Sequence, residues 1–468
     1  RDALREAEKP TRAEARHSRG GRRRAPDRER RTMRHSWVSC RRAGQIRRVR
    51  RAVLICALIV PAWAGAVAPA HAGIGARITD ILADNGFGGA RTAVSVWTDG
   101  ARRAAYARHT TTLLVPASNM KLVTAATALF RWGPDHRFKT ELYLPAEYAT
   151  QPYAIGVVRG DVYLKGYGDP SLSLPTFQKK RLHVTTSSLL TFVSQLKALG
   201  VTKIRGRVVG DDTWFDDRRT VSTWKPGLKD YCGPLSALSV NEGLRDGERV
   251  EEPARYAARR LLDALEAAGI EVTGGPRRGV VPDDAHLAVT VESARLKTLL
   301  KPLCKQSDNF FAEMLVKGLG RDFRSAGTTA AGLRVSRATL RALGLSDDTF
   351  RLADGSGLSY RNRLAAAGIA KLLRVMTARD DYLHFWRSLS IAGRDGTLRT
   401  RMRDTAAEAD FRGKTGTLRV ASSLSGYVTS SAGNRVIVSI LMNGDAVNTW
   451  SAHRAQDRIA VALAKSRL

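Results

Sequence analysis

The sequence is poor in the residues that build metal centres and disulfide frameworks. Its 468 residues include 4 cysteines and 9 histidines, and no His or Cys cluster has the spacing of a metal site. We therefore expect no metal ion and no other cofactor. Aromatic residues make up only 7% and are not interleaved with the basic ones, so nucleic acid is not an expected partner.

Long apolar runs are also scarce. The most apolar run, residues 52–68 (AVLICALIVPAWAGAVA), contains Pro61 and is shorter than the ~20 residues that span a bilayer, which disfavours a retained membrane anchor. It follows a basic stretch and leads into AHA at 70–72, a small-x-small cleavage pattern. This order predicts a signal peptide cleaved near Ala72 and an exported protein of the periplasm or cell-wall space. General secretion and the twin-arginine route both fit.

Acidic residues are too few to balance the basic ones. Asp and Glu number 44 against 77 Lys and Arg, which gives a net charge of +33. Residues 1–72 hold 19 basic and 6 acidic residues, so +20 remains on the rest. We expect residues 1–51 to be disordered; residues 1–32 precede the signal's basic region and could be an over-extended upstream reading. The basic remainder predicts peripheral association with an anionic wall or membrane surface.

The length and the periodicity predict an α+β protein of more than one domain. Alternating runs about Asp99-Gly100 indicate a hairpin, and a buried helix begins near Ser118. Residues 138–283 contain short strand-like runs and one amphipathic helix at 256–268. Helical spacing returns over 294–319, and the chain ends in three strand-like runs and a helix from Ser451. We expect the terminal segments to pair in one antiparallel sheet flanked by helices.

Two motifs pair hydroxyls with nitrogen groups suited to acyl transfer. Ser118 and Lys121 (S-N-M-K) stand three residues apart at a predicted helix start, so hydroxyl and amine lie one turn apart on one face. Burial and neighbouring cations can lower the pKa of such a lysine until its amine accepts the hydroxyl proton. Ser307 and Asn309 (S-D-N) offer a second hydroxyl for proton relay and an amide that donates and accepts.

A third motif, Lys414-Thr415-Gly416-Thr417, lies on a predicted strand. Its cation and hydroxyls can hold a carboxylate, and its glycine lets a substrate backbone approach. Taken singly, each motif also fits an ordinary helix cap or a solvated edge strand. Their order, S-x-x-K then S-D-N then K-T-G, is the signature of penicillin-binding proteins and serine β-lactamases. The sequence resembles that superfamily.

Longer segments narrow the resemblance. The two serines Ser118 and Ser307 are about 190 residues apart, far more than a compact β-lactamase needs. The sequence is similar to the class C low-molecular-mass penicillin-binding proteins, the D-alanyl-D-alanine carboxypeptidase/endopeptidase family, through VPASNMKLVTAATAL, DVYLKGYGDPSL, GPLSALSVNE, LADGSGLS, IAGRDGTLRTRM and RGKTGTLRVASSLSGYV. It departs from the pattern at Cys304, where Asn is usual, and at Tyr360, where Arg is common.

The resemblance implies a β-lactamase/transpeptidase-like catalytic domain interrupted by an inserted, strand-rich accessory domain. We place the catalytic domain at 73–137 and 284–468 and the accessory domain at 138–283. The implied activity is that of a serine peptidase on peptidoglycan stem peptides and cross-links, with β-lactams as covalent inhibitors. The insertion is shorter than in the larger members, which leaves the accessory function open.

The resemblance also implies roles for the motif residues. Ser118 would be acylated and Lys121 would accept its proton, while Ser307 would pass a proton to the leaving amine. Asn309 would bind the substrate amide, and Lys414 would support the proton network. The strand residues Thr415, Gly416 and Thr417 would contact the terminal carboxylate and the backbone of the substrate. Backbone N–H groups of Ser118 and Thr417 would form the oxyanion hole.

Other interpretations were weighed against this one. A β-lactamase needs a glutamate that activates deacylating water, and no convincing candidate follows Ser307. A wall-binding protein without activity is disfavoured because every catalytic position is intact. Asp169 and Asp354 stand in common turn dipeptides, so we assign them to turns. The sequence does not decide whether the enzyme prefers exopeptidase or endopeptidase substrates. It also leaves open whether Cys232 and Cys304 form a disulfide.

Overall fold

The computed structural model describes residues 70–89, 91–150 and 155–468. The predicted basic segment 1–51 lies outside this part, as does the signal segment 52–72 apart from the first turn of a helix that begins at Ala70. None of the helices in these ranges has the length and apolar content needed to cross a membrane.

Helices and strands alternate along the described chain. The helices are α1 Ala70–Asp84, α2 Met120–Trp132, α3 Pro175–Phe177, α4 Leu189–Ala198, α5 Pro253–Ala267, α6 Leu296–Cys304, α7 Asn309–Arg324, α8 Thr329–Ala342, α9 Ala366–Thr377, α10 Tyr382–Ser388 and α11 Thr449–Ala464. The strands are β1 Thr92–Thr98, β2 Tyr106–Arg108, β3 Leu113–Leu114, β4 Lys139–Leu144, β5 Gly156–Arg159, β6 Val162–Gly166, β7 Val201–Arg205, β8 Val208–Asp211, β9 Leu244–Arg245, β10 Glu248–Arg249, β11 Glu271–Val272, β12 Arg277–Arg278, β13 His286–Glu292, β14 Phe350–Arg351, β15 Arg363–Ala365, β16 Ser390–Ile391, β17 Arg412–Leu418, β18 Ala421–Thr429 and β19 Arg435–Asn443.

The C-terminal meander forms the middle of a six-stranded antiparallel sheet in the order β16-β17-β18-β19-β1-β2. The predicted hairpin is present, because β1 pairs with β2 from Val94↔Arg108 to Val96↔Tyr106. On its other side β1 pairs antiparallel with the whole of β19. The first and last strands of the described chain therefore pair in one sheet, as expected.

Helices cover both faces of this sheet. Alternate residues of β19 contribute to two separate cores, with Val438 and Ile440 packed beside α1 and α11, and Ile437 and Leu441 packed beside α2 and α9. A strand buried on both faces has no polar side to show, so residues 435–443 read as an almost unbroken apolar run. We call the sheet, its helices and their loops the catalytic region.

A second core lies within residues 139–292, which we call the inserted region. Its five-stranded sheet has the order β12-β8-β6-β4-β13, its three-stranded sheet the order β11-β7-β5, and α4 and α5 pack against them. Since β13 pairs antiparallel with β4 from His286↔Leu144 to Glu292↔Lys139, we propose that the insertion extends to Glu292 rather than ending at residue 283.

The continuous helical spacing predicted for 294–319 conceals a break. The chain forms two helices, α6 and α7, and between them Ser307 has a left-handed φ of 60°. The Asp308 side chain then accepts a hydrogen bond from Phe311 N at 3.0 Å and starts α7 as its N-cap. The apolar period continues across the break because both helices bury a face in the same core.

Candidate active site

Ser118 lies in a 3-10 turn that leads into α2 and is fastened to the sheet. The buried Asn119 amide donates hydrogen bonds to Lys414 O at 3.1 Å and to Ser423 Oγ at 2.5 Å. Ala117 has a positive φ of 47°, a conformation that a non-glycine residue adopts only when its surroundings enforce it. The turn therefore holds Ser118 at a fixed position against β17.

Lys121 is fully buried, and its ammonium group has three partners. Nζ donates to Ser118 Oγ at 3.0 Å, to Asn309 Oδ1 at 2.7 Å and to the carbonyl of Ser356 at 2.7 Å. Within the described ranges no carboxylate lies within 4 Å of this nitrogen. Burial lowers the pKa of Lys121 to about 8, against the opposing charge of Asp354. Roughly a tenth of the lysine is then neutral at pH 7 and able to accept the proton of the hydroxyl.

The S-D-N motif is at once a helix cap and part of this site. Asn309 begins α7, accepts from Lys121 and donates through Nδ2 to Tyr231 O at 2.8 Å. Ser307 is half-buried in the left-handed turn just before the cap residue Asp308. The ordinary cap function and the proposed catalytic function are therefore compatible, since different residues of the motif perform them.

The K-T-G motif lies on β17 beside the serine. Burial and the nearby charge of Lys121 lower the pKa of Lys414 to about 7, and its Nζ donates to Thr415 O at 2.9 Å. Thr415 Oγ1 donates to Thr397 Oγ1 at 2.8 Å, and Thr417 is exposed. A Cβ on Gly416 would lie 2.8 Å from Ser118 N, so glycine is what lets the serine's backbone approach the strand.

One buried carboxylate that shapes the site, Glu313, is not among the residues predicted from the motifs. Glu313 accepts hydrogen bonds from Gly355 N at 3.0 Å and Ser356 N at 2.8 Å, and so fixes the residue whose carbonyl holds Lys121. Burial raises the pKa of Glu313 to about 8. Its position four residues after Asn309 puts both side chains on one face of α7, which is the sequence signal that could have revealed it.

Asp354 forms a turn, as assigned, but the turn belongs to the site. Its carboxylate is buried and accepts from Gly357 N at 2.7 Å and Ser359 N at 2.5 Å. Together with Glu313 it holds the loop that supplies the carbonyl of Ser356. Neither carboxylate contacts Ser118 in the structure; both position this loop, and the charge of Asp354 also opposes the effect of burial on Lys121.

Cys232 and Cys304 are free thiols, and both are buried. Burial raises the pKa of each thiol above its usual value. Within the described ranges no group of three or more His, Cys, Asp or Glu side chains is placed to hold a metal ion.

The layered fold and the half-buried serine in contact with a buried lysine define a serine enzyme of the transpeptidase-like class. The structure resembles that of penicillin binding protein 4 from Haemophilus influenzae, with a TM-score of 0.70 at 20% identity over 83% of this chain and 99% of that one. This likeness confirms the predicted fold class. The model of the D-Ala-D-Ala carboxypeptidase 3 (S13) family matches residues 74–248 and 244–466, and the chain belongs to that family.

Curated relatives agree with the family match. A D-alanyl-D-alanine carboxypeptidase from an Actinomadura strain is 33% identical in an alignment that covers 89% of this chain and 90% of that protein. Carboxypeptidase DacB of Mycolicibacterium smegmatis is 28% identical over 86% of each chain. The predicted family and the predicted enzyme class, a serine-type D-Ala-D-Ala carboxypeptidase, are both confirmed.

Proposed function

We propose that this enzyme hydrolyses D-alanyl bonds in peptidoglycan stem peptides and in their cross-links through an acyl-enzyme on Ser118. The observation that carries the proposal is the environment of Lys121, whose Nζ lies 3.0 Å from Ser118 Oγ in a fully buried position. A lysine near its neutral form and in contact with a hydroxyl is the arrangement that general-base activation of a serine requires.

In the acylation step Lys121 takes the proton of Ser118 Oγ as that oxygen attacks the penultimate D-alanine carbonyl. The bond from this carbonyl to the leaving nitrogen breaks, and Ser307 gives its hydroxyl proton to the departing amine while it receives the proton held by Lys121. Asn309, fixed between Lys121 and the Tyr231 carbonyl, holds the substrate amide. Water then attacks the ester and releases Ser118.

Residues of β17 bind the two negatively charged groups of the reacting substrate, the oxyanion and the terminal carboxylate. Backbone N–H groups of Ser118 and Thr417 face the developing oxyanion, where loss of one such donor costs about 10²–10³-fold in kcat. The terminal carboxylate of the substrate binds to Lys414 and to the hydroxyls of Thr415 and Thr417. The glycine between these threonines, Gly416, keeps this strand close to Ser118 N.

β-Lactams, whose strained amide occupies the position of the scissile bond, would acylate the same serine and act as covalent inhibitors. The penicillin binding protein 4 of H. influenzae has a solved complex with a β-lactam. The enzyme requires no cofactor in this scheme, because the two lysines and the hydroxyls supply every proton transfer.

A carboxypeptidase of this family acts on the cell wall, outside the cytoplasm. We propose that the chain is exported and cleaved near Ala72, and that its positive charge associates it with anionic wall polymers or lipid headgroups. N-terminal sequencing of the protein recovered from the extracytoplasmic fraction tests this. A mature N-terminus near Gly73 supports the proposal, and an intact segment 52–72 contradicts it.

The activity test compares the purified enzyme with its Ser118→Ala variant on two substrates, a pentapeptide muropeptide and a cross-linked dimer. We expect the wild type to release D-alanine and to separate the dimer, and the variant to do neither. Rapid hydrolysis of penicillin with inert muropeptides would instead identify a β-lactamase.

A further inference from the structure

A cleft of about 740 Å³ opens beside the S-D-N motif. Within the described ranges its walls include Ser307, Asn309 and Thr397 but not Ser118. Thr397 accepts the hydrogen bond of Thr415 Oγ1, so the cleft continues directly from the residue that would hold the terminal carboxylate. We call this space the Ser307 cleft.

The position of the Ser307 cleft relates it to the departing part of the substrate. In the scheme above Ser307 protonates the leaving amine, and Thr415 binds the carboxylate attached to the leaving group. A group that leaves between these two residues moves toward the Ser307 cleft. A single D-alanine would fill only a small part of this volume, whereas clefts of this size commonly hold peptide-sized ligands.

The cleft walls carry cations that lack acidic partners. Lys180 and Arg399 line it and are exposed, and in the described part of the chain no carboxylate lies within 4 Å of either side chain. The two residues belong to segments that are far apart in the sequence. Lys180 follows α3, and Arg399 follows the 3-10 turn Gly396–Leu398. These two charges are therefore available to an anionic ligand.

A third cation is held in place beside them. The Arg181 guanidinium lies 3.5 Å from Glu242 Oε2 and 3.6 Å from Asp308 Oδ2. Burial, together with the charge of Asp308, raises the pKa of Glu242 well above its usual range. Glu242 and Asp308 thus both face Arg181, and neither is paired with Lys180 or Arg399. Asp230 also lines the cleft and contributes one negative charge to it.

We propose that the Ser307 cleft binds the leaving peptide of a cross-linked substrate, with Lys180 and Arg399 contacting carboxylates of that peptide. The inference rests on the proposed function and assigns a subsite to it. Release of a single D-alanine does not use these cations, because the leaving residue ends at Thr415 and Lys414. The cleft would thus favour cross-link cleavage over carboxypeptidase activity.

The test measures kcat/KM for D-alanine release from a pentapeptide and for cleavage of a cross-linked dimer, together with the rate of acylation by benzylpenicillin. For the double variant Lys180→Ala/Arg399→Ala we expect dimer cleavage to fall about fivefold or more, as loss of two exposed ion pairs predicts. D-Alanine release and acylation should stay within about twofold of the wild type by the same argument.

A matched control removes the same two charges elsewhere. Arg102 and Arg103 are exposed in the β1–β2 loop, and Arg102→Ala/Arg103→Ala should leave all three rates unchanged. A dimer whose leaving peptide has amidated carboxylates should be cleaved more slowly by the wild type, and the Lys180/Arg399 variant should show no further loss on it.

Two results would overturn the proposal. One is that kcat/KM of the Lys180→Ala/Arg399→Ala variant falls equally for dimer cleavage and D-alanine release, or falls for neither. The other is a cleft variant that loses binding to an anionic wall polymer while cleaving the dimer normally. If the wild type itself neither releases D-alanine nor cleaves the dimer, the proposed function fails instead, and that outcome is distinct from both.

Discussion

In the inserted region two buried carboxylates at the end of β8 each face cations. Asp211 lies 3.2 Å from Lys165, and Asp212 lies 2.6 Å from Arg219 and 2.7 Å from Arg278. In the catalytic region Lys121 and Lys414 are buried just as deeply, yet within the described ranges neither has a carboxylate within 4 Å.

The paired carboxylates of the inserted region stabilise the fold, whereas the two buried lysines of the catalytic region serve the reaction. Hydrogen bonds from Thr213 and Val281, together with the charge of Lys165, overcome the effect of burial and lower the pKa of Asp211. The two lysines have no carboxylate in contact, and burial lowers their pKa values to about 8 and about 7. Buried charges without a contacting counter-charge destabilise a protein and concentrate at functional sites.

The largest expected effect comes from replacing Lys121 by a cation that cannot lose its proton. Lys121→Arg keeps the charge, but a guanidinium stays protonated at all working pH values. We expect acylation by a fluorescent penicillin to slow by about 10²–10⁴-fold, the usual contribution of a general base. Stopped-flow labelling measures the rate.

The matched control makes the same exchange in the inserted region. Lys165→Arg retains a cation beside Asp211. It should leave the acylation rate within about twofold of the wild type, because this ion pair takes no part in the proton transfers at Ser118. Equal losses in the two variants would show that the contrast between the regions is wrong.

Next in size is the loss of stability on breaking a buried pair. Asp211→Asn leaves Lys165 without its counter-charge and weakens the acceptor for Thr213 and Val281. We expect the free energy of unfolding to fall by about 3 kcal/mol, which urea denaturation measures. The folded fraction should acylate at the normal rate. An unchanged unfolding free energy would mean that the pair is not structural.

The pH profile sharpens the catalytic side of the comparison. Because only the neutral form of Lys121 accepts a proton, kcat/KM should rise by up to about tenfold per pH unit as the pH approaches 7. It should fall above about pH 8, where Lys414 has lost the charge that binds the substrate carboxylate. In Asp354→Asn, which removes the charge that opposes the effect of burial on Lys121, the rise in kcat/KM should move to lower pH. A profile that is flat between pH 6 and pH 8 would contradict lysine as the base.

The smallest effect expected is a gain in stability. Lys414→Met removes a buried charge and one hydrogen bond, and should raise the free energy of unfolding by about 1 kcal/mol at pH 7. The pKa of this lysine is lowered on folding, so the cost of its charge is full below about pH 7 and disappears as pH rises toward 10.5. The advantage of the variant, followed by thermal melts, should shrink over the same range. A variant that is less stable at every pH would contradict this reading.

Local patterns were sufficient for much of the fold and for the three motifs. The β1–β2 hairpin, the meander of β17 to β19 and the final helix each follow from a period that lies within one segment of sequence. The motif residues were found because each motif is contiguous, and the structure brings Ser118, Lys121 and Asn309 into one hydrogen-bonded group.

The remaining features depend on contacts that no local pattern reports. The acceptor that fixes Lys121 is a backbone carbonyl, that of Ser356, and a carbonyl has no sequence signature. The spacing of Glu313 from Asn309 places the two on one face of α7, but only the fold brings that face to the backbone of Gly355 and Ser356. The cations of the Ser307 cleft come from separate segments of the chain, so only the folded structure brings them together.

The central claim is that Ser118 is the nucleophile that forms the acyl-enzyme. Its most direct test is mass spectrometry of the intact enzyme after brief exposure to benzylpenicillin, followed by peptide mapping of the adduct. The account predicts a single added penicilloyl group on the peptide that contains Ser118, and none in Ser118→Ala. An adduct on another residue, or one that persists in the variant, would contradict it.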